Sequence, residues 1–181
     1  VAICKNNQRI SLLTEGYPRM GFQTFSKIIS SGSKGVCITR LHPEYVAQKF
    51  GLGGTRCYWL SGCKGKDVLS PKNLGQVTKA VKGSLARGEG NLVFLDGLEY
   101  LLLYNDMGKV LSFLTELEAS LTKAGGEMVV CMDPLTFEQK DLDRLWSAFP
   151  RCTPEELSKA FLSSRSPHSA AAAPMSVDQT V

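Results

Sequence analysis

Short uninterrupted apolar runs alternate along the chain with longer stretches in which apolar residues recur every three or four positions. The clearest run is Leu92-Val93-Phe94-Leu95, which follows a Gly/Glu/Asn turn and ends in Asp96-Gly97. A run of this kind bounded by turn signals suits a strand buried on both faces. Comparable strands are expected over Arg9–Glu15, Val36–Thr39, Arg56–Leu60 and Glu127–Met132, with a further edge segment around Val1–Cys4.

Between them the spacing predicts helices. Phe22–Ser30 carries Phe22, Phe25, Ile28 and Ile29 on one face. His42-Pro43-Glu44 opens a helix that Gly51 ends, and Ser70-Pro71 opens one bearing Leu74, Val77, Val81 and Leu85. A short helical continuation runs to Tyr104, and Met107–Lys123 places Val110, Leu111, Leu114, Leu117 and Leu121 on a stripe. Asp133-Pro134 starts a helix with Phe137, Leu142, Leu145 and Trp146, and Thr153 caps a last one ending at Leu162. Strands alternating with helices throughout predict a three-layer αβα domain on a mainly parallel sheet of five or more strands. That domain spans residues 1–162. Residues 163–181, rich in Ser and Ala, offer little to bury and read as a disordered tail.

Composition narrows the class. In 181 residues, 43% hydrophobic and 21% charged content is ordinary for one globular domain. The net charge of +4 is spread without a dense basic run, so nucleic-acid binding is disfavoured. A DNA-binding role for the basic helix Lys72–Arg87 lacks an aromatic-interleaved patch. Nothing approaches the roughly 20 apolar residues of a membrane span. Six cysteines without a C-x-x-C pair, and only two histidines, predict reduced thiols, a cytoplasmic setting and no metal or cofactor site.

Candidate chemistry sits in two places. Gly16-Tyr17-Pro18-Arg19-Met20-Gly21-Phe22-Gln23 follows a strand, opens a helix and matches the glycine spacing of the phosphate loop G-x-x-x-x-G-K-[ST]. Phe22 holds the lysine position and Gln23 the hydroxyl position, so the phosphate charge partner and the Mg²⁺ ligand are both missing. A plain βα turn would carry the same two glycines. The second place is Asp96, at a strand end where such folds put a metal-coordinating acid, with Glu99 one helical turn beyond. An Asp-Gly turn or helix cap explains Asp96 equally well. His42 with Cys37 or Cys57 would make a nucleophile–base pair, although strand cysteines beside a helix start are commonly structural. Ser61 and Ser70 lack a nucleophile elbow, and Lys64-Gly65-Lys66 reads as a solvated loop.

The series G-V-C-I-T-R (35–40), W-L-S (59–61), S-P-x-x-L-G (70–75), L-D-G-L-E-Y-L (95–101) and V-L-S-F-L (110–114) resembles an uncharacterised archaeal family, "domain of unknown function 835", over roughly Ile10–Phe149. That family is similar to a divergent branch of the RecA/KaiC-like P-loop ATPases. The resemblance implies a RecA-like P-loop topology, with Gly16, Pro18, Gly21, Phe22 and Gln23 as a degenerate phosphate loop and Asp96 and Glu99 at a Walker-B-like strand end. Such ATPases carry a catalytic glutamate just past the second strand, where Arg40-Leu41-His42 stands here. The implied function is a non-catalytic pseudo-ATPase module that binds protein partners or relays signals beside neighbouring signalling domains. The alternative is a nucleotide binder or ATPase with a reorganised phosphate site, in which Arg19 or Arg40 replaces the lysine.

Overall fold

The computed structural model describes residues 8–163. Seven strands form one sheet: β1 (Ile10–Thr14), β2 (Gly35–Thr39), β3 (Arg56–Leu60), β4 (Val68–Leu69), β5 (Leu92–Asp96), β6 (Glu127–Met132) and β7 (Arg151–Cys152). Their order is β4-β3-β2-β5-β6-β1-β7 and every pairing is parallel. The three central strands β2, β5 and β6 are buried along their whole length, which is why they read as unbroken apolar runs.

The pleat sorts side chains onto two helical layers. Ile10, Leu12, Ile38, Val93, Leu95 and Val130 face the layer of α3 (Leu74–Ala86), α4 (Leu98–Leu102), α5 (Met107–Ala124) and α6 (Gln139–Ala148). Leu13, Cys37, Phe94, Val129 and Cys131 face α1 (Arg19–Ser30), α2 (Pro43–Phe50) and α7 (Pro154–Ser163). The three-layer α/β expectation is met. Because crossovers are right-handed, connections moving opposite ways along the sheet lie on opposite faces. Adjacent strands diverge in this way at β1/β6 and at β2/β5, and crevices at the strands' carboxyl ends open at such points.

Several local expectations need correction. Helix α1 begins at Arg19, three residues before Phe22, with Pro18 at the cap and Gly21 inside the helix. Helix α3 is capped by Asn73, whose side chain accepts from Gln76 N, so Ser70 and Pro71 belong to a preceding turn. Asp133-Pro134 opens only a 3₁₀ turn (Pro134–Thr136), and the chain extends through Phe137 before α6. The two-residue strands β4 and β7 were not anticipated. Ser163 closes α7, while the rest of the expected tail (164–181) and the proposed Val1–Cys4 segment lie outside the described residues.

Candidate functional site

Parallel strands bring Gly16, Arg40, Asp96 and Asp133 to one edge of the sheet, each just at or past a strand's carboxyl end. The β1–α1 connection is the first test of the phosphate loop. Glu15, the residue that follows β1, turns its carboxylate onto the start of α1. Its Oε1 accepts from Gly21 N at 2.6 Å and its Oε2 from Met20 N at 2.9 Å. Arg19 N donates to Tyr17 O and Phe22 N to Pro18 O. The amides of residues 19–22 therefore all have acceptors within the chain. A helix start normally offers such amides to an anion; here the anion is built in.

Gly21 makes that arrangement possible. A Cβ there would lie 2.5 Å from Glu15 Oε1 and 2.7 Å from Cys131 Sγ, so only glycine lets α1 sit this close to β1 and β6. Phe22 is fully buried, stacked on Phe50 at 4.8 Å and against Phe94 at 5.0 Å, and Gln23 is exposed. Gly16 is exposed and Pro18 buried. Burial raises the Glu15 pKa, against the lowering effect of the two amides.

At the β2/β5 crevice, Ile38 pairs with Leu95, which places Thr39 beside Asp96 on the face that α1 and α2 cover. Thr39 Oγ1 donates to Asp96 Oδ2 at 2.9 Å. Arg40 lies between two acids, its Nε 3.7 Å from Asp96 Oδ1 and its Nη1 2.8 Å from Glu99 Oε1. Gly97 is left-handed (φ 102°), and its open Cα side accommodates the Arg40 stem. Trp59 Nε1 donates to the Arg40 carbonyl at 3.2 Å. Burial pushes the Asp96 pKa up to about 6, although Arg40 and the Thr39 hydroxyl pull it down.

Asp96 and Glu99 thus share a site, as their spacing suggests, but with a guanidinium between them. A cation binding there would have to displace Arg40. Among the described residues, no three His, Cys, Asp or Glu side chains are grouped to hold a metal. His42 and the cysteines do not combine: His42 Nδ1 accepts from Glu44 N and its ring packs edge-on to Trp59. Cys37 pairs with Cys57 across β2 and β3, and burial pushes its thiol well above the usual range. All five described cysteines are free.

Glu15 is the residue that sequence reasoning missed. Acids capping a helix normally sit at the cap or in the first turn, whereas Glu15 reaches amides five and six positions later.

Together these features define an all-parallel three-layer α/β domain whose carboxyl edge holds a self-capped helix start and an arginine-neutralised acid pair. The chain belongs to the family described as Protein of unknown function (DUF835), whose model matches residues 18–149. That span takes in Pro18, Gly21, Phe22, Gln23, Asp96 and Glu99, while Glu15 and Gly16 precede it. No curated protein matches the chain.

Proposed function

We propose that this domain is a non-catalytic, RecA/KaiC-like P-loop relic that works by binding protein partners or relaying signals beside them. The observation that carries the reading is the Glu15 carboxylate on Met20 N and Gly21 N, where a phosphate loop would present its amides. An incoming phosphate would have to expel a carboxylate, with no lysine to attract it and no hydroxyl to seat Mg²⁺. Arg40, tied to Asp96 and Glu99, supports the same conclusion for the metal side of the site. The separation of loop strand β1 from acid strand β5 by a single strand, β6, suits the P-loop ancestry.

Exposed apolar side chains support a binding role. Tyr17, Met20, Tyr45, Leu103, Tyr104 and Leu135 follow the carboxyl ends of β1, β2, β5 and β6, with Leu103 74% and Leu135 92% exposed. Tyr17 and Tyr45 meet across two of these connections, and exposed apolar residues along one sheet edge suit an interaction surface. The second reading, a nucleotide binder with Arg19 in place of the lysine, is favoured by one fact. Arg19 is exposed and has no ion-pair partner among the described residues.

Isothermal titration with ATP, with and without Mg²⁺, and a phosphate-release assay test the proposal. The wild type should show no magnesium-dependent binding and no turnover. Micromolar magnesium-dependent binding, or turnover lost on Asp96→Ala, would establish the second reading instead.

A further inference from the structure

The exposed face of α1 and the end of α2 enclose a groove of about 770 Å³ lined by Tyr17, Arg19, Gln23, Ser26, Lys27, Lys49 and Phe50. None of these lining residues is an acid, and three are cations. Arg19 and Lys27 are exposed and carry no ion pair among the described residues. They stand eight positions apart on α1, roughly 12 Å along its axis, with Gln23 and Ser26 between them.

Lys49 faces them from α2 and is held in place. Its ammonium lies 5.3 Å from the Tyr17 ring centroid, 5.0 Å from Tyr45 and 5.6 Å from Phe50, and it donates to the Tyr45 hydroxyl. Tyr45 is joined in turn to Tyr17, oxygen to oxygen, at 3.3 Å. Three like charges around one concavity repel one another and raise the local concentration of anions. One of them is already positioned, which lowers the ordering cost of binding.

We propose that this groove binds a small diphosphate-bearing anion, without a metal, between Arg19, Lys27 and Lys49, with Gln23 and Ser26 as polar contacts and Tyr17 as its apolar wall. Two linked phosphates supply the number of charges and the length that one phosphate lacks. The amides at the start of α1 take no part, because Glu15 already occupies them. The site therefore uses the side chains of Tyr17, Arg19 and Gln23 from the relic loop, and not the backbone amides on which a phosphate loop relies.

The probe is inorganic pyrophosphate, titrated into the isotopically labelled full chain without divalent metal at constant ionic strength. Saturable amide shifts should centre on Tyr17, Arg19, Gln23, Ser26, Lys27 and Lys49. Arg19→Ala and Lys27→Ala should each weaken binding roughly tenfold, the loss expected for one charged hydrogen bond. Lys64→Ala, outside the groove's lining, should change nothing. Absence of saturable shifts, or sulfate matching pyrophosphate at equal ionic strength, would overturn the proposal. So would shifts centred on Gly16 and Met20, which would return the anion to the loop. A phosphorylated inositol lipid carries the same chemistry, so co-sedimentation with vesicles containing it separates the two sources. Vesicle binding without any response to free pyrophosphate would also overturn the proposal. Magnesium-dependent ATP turnover would end the pseudo-enzyme reading and leave the groove untouched.

Discussion

Asp96→Asn tests the buried acid through the pH dependence of stability. The replacement keeps the size of the side chain and an oxygen for the Thr39 hydroxyl, and Glu99 remains as partner to Arg40. Asp96 is 1% exposed and its pKa rises from the ordinary 3.8 to about 6. At about 1.4 kcal/mol per unit, the shift corresponds to about 3 kcal/mol. Because the folded-state pKa is raised, folding favours the protonated carboxyl. The stabilisation is complete below the unfolded value and is lost as pH rises through about 6. About 2.4 kcal/mol of it falls between pH 4 and pH 7 by the same linkage. The assay is urea denaturation of both proteins at several pH values across that range. Glu15 also has a raised pKa, but it is present in both proteins and cancels in the difference. The stability of the wild type minus that of the variant should fall by about 2 kcal/mol from pH 4 to pH 7. A flat difference, or one that grows with pH, would mean that Arg40 and Thr39 outweigh burial and that Asp96 is a stably ionised member of the cluster.

Rebuilding the phosphate-loop residues with Phe22→Lys and Gln23→Thr should destabilise the fold and create no ATP site, because the new ammonium would lie between Phe50 and Phe94; circular-dichroism melting and ATP titration check both parts. Phe22→Ala should cost about 3–5 kcal/mol in urea denaturation, the range for a buried aromatic that leaves a cavity. Gly21→Ala should cost about 1–3 kcal/mol by the same measurement, since its methyl group meets Glu15 and Cys131. Glu15→Ala frees the amides of Met20 and Gly21, and should give a chloride- or phosphate-dependent rise in melting temperature that the wild type lacks.

The central strands were legible because burial on both faces writes itself as a contiguous run. The limits of β5 and β6 fall where the runs 92–96 and 127–132 meet Gly97 and Asp133. The inward turn of Phe22 was legible too, since a bulky ring among Phe25 and Ile28 has only the core to enter. What escaped was set by tertiary contacts. Gly21 reads as a loop residue by propensity, yet its missing Cβ is what docks α1 onto Cys131 and Leu13. Strands β4 and β7 have two residues each, too few for any period, and exist because β3 and β1 offer them a free edge. Asn73 displaced Ser70 as the helix cap because its carbonyl oxygen reaches Gln76 N, a choice among neighbouring polar residues that spacing does not settle.

The position of β1 has a consequence for how the chain acquires its shape. The first described strand to leave the ribosome lies between β6 and β7, with Leu12 beside Val130 and Leu13 beside Cys152. Its edges stay unpaired until the last third of the domain has been made. Contacts so distant along the chain slow folding and leave apolar strand edges open to other molecules in the meantime. While β1 waits, the α1 segment has no finished sheet to pack on, and Cys131, whose thiol meets Glu15 Oε1 in the finished fold, has yet to be made. Chains arrested before β6 would hold the self-capped helix start without the neighbouring strand against which Gly21 packs it.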